Sequence, residues 1–129
     1  MRIPVHPIGS PFIMDSQAQK NAAAISEKEM ALTEKRNVVL QGGGQKYIDR
    51  THAKGKMTAW ERILSISDNE SPILPVGTLV NWGRIFQDGS RERIAPGAGL
   101  FTVFTKVHEK WVMIIANDNT VASGSWWPK

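Results

Sequence analysis

Three histidines, a run of three glycines and a surplus of lysine and arginine are the groups that could do chemistry in this 129-residue chain, and no cysteine joins them. The absence of thiols excludes disulfides, thiolate nucleophiles and thiolate metal sites. His6, His52 and His108 lie far apart in three different local contexts, so no metal cluster is expected from them. Gly42-Gly43-Gly44 has the backbone freedom of a phosphate loop, yet no Gly-Lys-Ser/Thr follows it and no strand precedes it. The plainer expectation is a helix C-cap. Sixteen Lys and Arg against twelve acids give a net charge of +4. Such a balance could draw a polyanion, either nucleic acid or the phosphates of a nucleotide-like ligand; the plainer alternative is a solvated basic surface. A nucleic-acid reading would rest on the isoelectric point alone, and nucleic acid is not an expected partner. Glu61 and Asp118 read as capping or turn residues before catalytic ones. Trp111, Trp126 and Trp127 read as core or interface anchors before stacking platforms.

These groups must be held by elements that the sequence punctuates clearly. The length allows one domain at most, and 41% hydrophobic with 22% charged residues is ordinary for a globular chain. Pro4, Pro7 and Pro11 break the start, so residues 1–14 are expected as an extended arm, without the unbroken apolar run of a signal peptide. No stretch approaches the length of a membrane span, membrane insertion is not expected, and the cytoplasm is the simplest location. Asp15 and Ser16 are good N-caps for a helix over 17–40 that contains no Gly or Pro. Ala18, Ala22, Ile25, Leu32 and Val39 fall near one face, interrupted by Glu29 and Arg36, a pattern for a helix lying on the outside of something larger. A short helix over 45–53 is expected to carry Tyr47 and Ile48 inward, and Lys54-Gly55-Lys56 to form a tight turn. Thr58-Ala59-Trp60-Glu61 matches a capping box for a helix running to about Ser67, with Ile63, Leu64 and Ile66 available for burial.

After Pro75 the texture changes to β. Residues 77–82 read as a short strand, and 83–99 as a polar, flexible excursion with turn signals at Asp88-Gly89 and Pro96-Gly97. Residues 100–107 and 111–116 read as strands joined by His108-Glu109, the second covered on both faces, with a third strand or tight turn near Thr120. Trp126-Trp127 beside the last residues would leave apolar surface uncovered, and two or three strands are few for an independent sheet, so the chain reads as cut from a longer one.

Two stretches carry a family resemblance. Residues 42–63 resemble the segment near the start of biotin-dependent acyl-CoA carboxyltransferase subunits, with its "GG…H..GK.TARERI" pattern. Lys54, Gly55, Lys56, Thr58, Ala59, Glu61, Arg62 and Ile63 match, while Trp60 stands where the family usually has Arg. Residues 110–128 resemble the strand-turn-strand that opens the family's first catalytic domain, with similarity to methylcrotonyl-CoA carboxylase β and glutaconyl-CoA decarboxylase α subunits. Val103, Thr105 and Glu109 depart from the glycines and the Asn-Gly-like turn usual there, and Glu109 is a poor residue for a primed turn.

The resemblance implies an α+β chain, N-terminal helices followed by a β-hairpin that opens a crotonase-like domain of ββα units, incomplete as it stands. It implies an arm over 1–14, a helical segment over 15–70 and the start of the catalytic domain over 71–129. It implies transfer of CO2 between carboxybiotin and an acyl-CoA through an enolate, with the biotin on a partner protein or domain and a coenzyme A thioester as substrate. The family's oxyanion-stabilising amides lie on glycine-rich helix N-termini that this chain lacks, so no catalytic residue is assigned and the chain alone is expected to be inactive. Gly124 and Ser125 are candidates for the acyl-CoA groove, with a plain turn as the equal alternative. Lys54, Lys56 and Arg62 are candidates for the coenzyme A phosphates, with a solvated surface turn as the plainer reading. The implied partners are the remaining carboxyltransferase portion or subunits, a biotin carrier and further copies in an oligomer. A non-enzymatic module that binds carboxyltransferase subunits is the alternative function.

Overall fold

The structure, a computed structural model, describes Gly9 and residues 13–125. Trp126 and Trp127, and nearly all of the proline-rich arm, lie outside the described residues. The chain divides into two compact units, one ending at Thr33 and one beginning at Glu34. The first is helical from Ser16. Helix α1 (Ser16–Leu40) starts where Asp15 caps it, the Ala18 N–H donating to the Asp15 carboxylate at 2.7 Å. Of its apolar stripe only Val39, which belongs to the second unit, is buried; Ile25 and Leu32 are exposed. Its sequence composition, rich in Ala, Glu, Lys and Gln, forms this helix locally without help from a buried face.

The second unit holds the core. Gly42 (φ +54°) and Gly44 (φ +91°) turn the chain out of α1, and α2 (Gln45–His52) follows. The expected Lys54-Gly55-Lys56 turn forms around Gly55 (φ +66°), with the Lys54 and Lys56 N–H groups both donating to the Thr51 carbonyl. Helix α3 (Ala59–Ile66) opens on the full capping box: the Glu61 N–H donates to the Thr58 hydroxyl, and the Thr58 N–H donates to the Glu61 carboxylate at 2.7 Å. Ala59 and Ile63 bury one stripe of α3, while Leu64 and Ile66 face outward, contrary to expectation. Eight residues make only two turns, and residues four apart share a face that Leu64 and Ile66 do not.

The strands differ from expectation in several places. Residues 77–82 form no strand: Gly77 (φ +66°) ends the preceding β1 (Leu74–Val76), and the Val80 and Trp82 N–H groups close successive turns on Gly77 and Leu79. Within the polar excursion, β2 (Phe86–Asp88) and β3 (Arg91–Arg93) pair antiparallel around Gly89, so part of a segment expected to be flexible is an ordered hairpin. Strand β4 (Leu100–Val107) pairs with both β1 and β5 (Lys110–Asn117), giving a three-stranded antiparallel sheet in the order β1-β4-β5.

The register puts Phe101, Val103 and Thr105 opposite Ala116, Ile114 and Val112 on one face of this sheet. That face packs on α3 and the end of α1, forming a core of Val39, Ala59, Ile63, Phe101 and Val103 with Trp60 and Ile114 at its margin. Trp60, the departure from the family pattern, sets its ring against Phe101 at a centroid distance of 5.6 Å. The opposite face leaves Trp111, Met113 and Ile115 at 54%, 51% and 60% exposure. The expectation that β5 is covered on both faces is therefore wrong: its apolar run alternates between a packed and an open side, and nothing in the described residues supplies a second layer.

The β4–β5 turn shows how a poor turn sequence is held. His108 (φ +50°) and Glu109 (φ +63°) both occupy the left-handed region, where a side chain costs energy. Asp68, just after α3, compensates: its two carboxylate oxygens accept the His108 and Glu109 N–H groups at 2.7 Å each. Those bonds, Glu109's foremost, hold the Asp68 carboxyl below its ordinary pKa against an opposing effect of desolvation.

Candidate anion-binding cavity

Two of the cations singled out in the sequence, Lys54 and Lys56, meet at a concave site built by α2, the turn after it, the end of β3 with the residues following it, and the residues following β5. Tyr47, Arg50, Thr51 and Lys54 recur at 0, 3, 4 and 7 positions, so α2 and its C-terminal turn present them on one face. Thr51 is buried and donates its hydroxyl to the Tyr47 carbonyl, fixing the middle of that face. Lys56 joins from the turn, and Arg93, Ile94 and Ala95 supply a second wall.

The third wall is the turn over 119–123, which Asp118 organises. Asp118 is 3% exposed, and one of its carboxylate oxygens accepts both the Thr120 N–H at 2.9 Å and the Thr120 hydroxyl at 2.7 Å. The Thr120 hydroxyl in turn accepts the Gly43 N–H at 2.9 Å, joining the glycine run to this turn. The approach is so close that a Cβ on Gly42 would strike the Asp118 carboxylate and the Thr120 hydroxyl, and one on Gly43 would strike the Thr120 carbonyl. Glycine is thus required by space at both positions, and at Gly42 by φ as well.

This half-open concavity has a volume of about 730 Å³. Its lining includes Arg50, Lys54, Lys56 and Arg93 and contains no carboxylate. His52 Nε2 lies 2.9 Å from the Glu61 carboxylate, a hydrogen bond that is an ion pair when the imidazole is protonated, and among the described residues no carboxylate pairs with Arg50, Lys54 or Lys56. The His52 bond, followed by the Thr58 amide, holds Glu61 below its ordinary pKa. The three glycine amides are already engaged: Gly42 and Gly44 donate to the carbonyls of Val39 and Gln41, and Gly43 donates to Thr120. The run is a helix cap and offers no phosphate loop. The site can hold an anion through side-chain cations, in the company of the Asn119 amide, the Ser123 hydroxyl and the Tyr47 ring.

Of the sequence-expected site residues, Lys54 and Lys56 line this cavity, and Arg62 on α3 does not. Gly124 and Ser125 follow directly on its last lining residue, Ser123, in a 3₁₀ turn (Ala122–Gly124) in which the Gly124 and Ser125 N–H groups donate to the carbonyls of Val121 and Ala122. Gly124 has φ +85°, and an added Cβ there would meet ordinary contacts, so this glycine answers to a turn and not to a close approach. Sequence reading missed Arg50, and it placed Tyr47 inward, whereas Tyr47 is 44% exposed and borders the cavity. The helical spacing of Tyr47, Arg50 and Lys54 was the available signal. Among the described residues no three His, Asp or Glu side chains form a metal-holding group, and no helix is long and apolar enough to cross a membrane.

Helices followed by an antiparallel sheet define an α+β chain. Transcarboxylase 12S, a hexamer crystallised with methylmalonyl-coenzyme A, superposes with a TM-score of 0.66 at 28% identity over 78% of this chain and 19% of its own. Among curated proteins, a probable biotin-dependent acyl-coenzyme A carboxylase beta2 subunit of Mycobacterium tuberculosis is 35% identical over 120 residues, 88% of this chain and 21% of that protein. The methylmalonyl-CoA decarboxylase subunit alpha of Veillonella parvula is 35% identical over 103 residues, 80% of this chain and 20% of that protein. No family model matches the chain. The chain is homologous to a segment of biotin-dependent acyl-CoA carboxyltransferase subunits, and it spans about a fifth of the length of the curated relatives it matches.

Proposed function

We propose that this chain is the opening part of an acyl-CoA carboxyltransferase of crotonase-like fold, moving CO2 between carboxybiotin and an acyl-CoA through an enolate. The observation that carries the reading is the superposition on transcarboxylase 12S together with significant identity along most of the chain. In this reading residues 1–14 are an arm, 15–70 the helical lead-in and 71–129 the start of the catalytic domain. Lys54 and Lys56, which share the cavity, attract the coenzyme A phosphates, Arg62 adds positive charge from outside it, and Gly124 and Ser125 border the acyl-CoA groove. The glycine run does not fit a biotin site: the amides of Gly42, Gly43 and Gly44, which could have faced a ureido oxygen, are all donating elsewhere. No chemical step is therefore assigned to biotin on this chain. Biotin arrives on a carrier, and the amide pairs that stabilise the enolate come from the remaining carboxyltransferase portion. That portion, further copies in an oligomer and the carrier are the proposed partners, and the cytoplasm the proposed location.

A carboxyl-transfer assay with carboxybiotin and several acyl-CoAs tests this, first on the chain alone and then on the chain joined to the remaining portion of a full-length relative. No turnover is expected alone, and turnover is expected from the joined protein. A folded joined protein that stays inactive while the intact relative works would refute it.

The open apolar face of β5 favours a second reading, a non-enzymatic module that binds carboxyltransferase subunits. Retention of an intact subunit by this chain, lost when Trp111 and Ile115 are replaced by Ser, is its expected result; no retention at all disposes of it.

A further inference from the structure

We propose that His52 and Glu61 form a pH-sensitive latch across the connection between α2 and α3, tight while the imidazole is protonated and loose when it is not. The latch goes beyond the carboxyltransferase reading and does not depend on it. Thr51 and Ala59 are buried at the two ends of this connection, but every residue from His52 to Met57 is exposed, so burial does not hold the stretch between them. Its backbone order rests on the Thr51 carbonyl, which accepts the Lys54 and Lys56 N–H groups at 3.2 Å each, and on the His52 carbonyl, which accepts the Gly55 N–H at 2.8 Å. From the end of α2, His52 Nε2 reaches both Glu61 carboxylate oxygens, at 2.9 and 3.0 Å. An ionised carboxylate only accepts, so Nε2 carries a proton in this contact. The same carboxylate accepts the Thr58 N–H at 2.7 Å. Glu61 thereby joins the last residue of α2 to the N-cap of α3, and histidine is the partner whose charge changes near neutral pH.

The charged groups around the pair are Asp49 and Arg50 on α2, Lys54 and Lys56 in the turn, and Arg62 on α3. Side chains of these types keep one charge through neutral pH, and Asp49 accepts the Gln45 side-chain amide at 2.7 Å. A protonated imidazole gains from the carboxylate beside it. The tie is therefore strongest below the histidine range and falls to a neutral hydrogen bond as pH rises through it. At the acid end the His52 bond first, and the Thr58 amide second, hold Glu61 below its ordinary value of 4.5. Its share is present above that value and is lost as pH falls through the depressed one. Lys54 and Lys56 ride on the stretch that the latch spans, so the order of those two cations follows the same bell-shaped profile.

The test is NMR on the whole chain at low salt. Imidazole shifts of His52 are followed across the acid and neutral range, beside water-exchange rates of the Gly55, Lys56 and Thr58 amides corrected for their intrinsic pH dependence. Protection should be about twofold to fivefold higher near pH 5.5 than near pH 8, the span of an exposed charge pair. His52→Gln keeps an N–H donor without a titrating charge and should flatten the neutral limb while leaving the acid one. His52→Arg, cationic throughout, should hold protection up to about pH 8, and Glu61→Gln should remove both limbs. His108→Asn, at the β4–β5 turn, should leave the profile unchanged. Neither member of the pair is buried, and circular dichroism checks that each variant folds. Equal protection near pH 5.5 and pH 8 in the native chain, or a neutral limb that survives His52→Gln, would overturn the latch. A neutral limb abolished by His108→Asn would do the same.

Discussion

Two aspartates hold two turns at opposite ends of β5, and they do so differently. Asp68 reaches across forty positions to clamp the turn at His108-Glu109, and its carboxylate lies near the surface. Asp118 is buried, bonds the residue two positions on, and is wedged against the glycine run that caps α1. The first repairs a local fault, a turn whose residues sit badly at positive φ. The second is part of the packing, because Thr120 relays it to Gly43 and thereby closes one end of the cavity. A hydrogen bond removed from a buried network leaves donors that no water can reach, while one removed at the surface is largely replaced by solvent.

Breaking the buried side of this comparison should cost most. Gly42→Ala places a methyl group into the Asp118 carboxylate at a positive φ, and the combined strain and overpacking should destabilise the protein by about 2–5 kcal/mol in denaturant melts. Asp118→Ala strands the Thr120 amide and hydroxyl and should cost about 1–3 kcal/mol. The two changes should not add: with the carboxylate gone, the methyl group meets only the Thr120 hydroxyl, which Asp118 no longer holds in place, and the double variant should be more stable than the sum of the singles. Strict additivity would mean that the wedge is not tight.

The surface turn predicts smaller effects and one of opposite sign. Glu109→Gly relieves a left-handed side chain and should stabilise by a few tenths to about 1 kcal/mol, with a larger gain when Asp68 is already Ala. Equal gains in both backgrounds would show that Asp68 does not compensate for that strain. Because its bonds to the Glu109 and His108 amides lower the folded-state pKa of Asp68, the stabilisation is fully present above the ordinary aspartate range near pH 4. It should be lost as pH falls through the depressed folded value. Hydrogen exchange at the His108 and Glu109 amides, measured downward from pH 5, should show protection fading at the acid end in the native protein and absent throughout in Asp68→Ala.

The local punctuation of this chain was legible in its sequence. The Asp15 cap, the glycine stop after α1 and the Thr58–Glu61 box depend on residues within a few positions of each other, and the rules that govern them are local; strands β4 and β5 were legible from their β-branched and aromatic content. The likeness to carboxyltransferase subunits was legible for a related reason, since residues 42–63 keep a fixed order of glycines, turn and cap. Burial was read less well. Leu64, Ile66, Tyr47 and the outer face of β5 are apolar enough to suggest an interior, yet which apolar face is covered depends on what lies opposite, and composition carries no record of that.

Only the tertiary structure decided that Lys54 and Lys56 share a cavity with Arg50 and Arg93 while Arg62 stands outside it. It likewise decided that Asp118 meets Gly42, seventy-six positions away in the chain, and that Asp68 rescues a turn forty positions away. Sequence fixes what each short stretch prefers through sterics and hydrogen bonds near at hand. The meeting of distant stretches is set by how a small core closes around Ile63 and Val103, and that is a property of the whole packing.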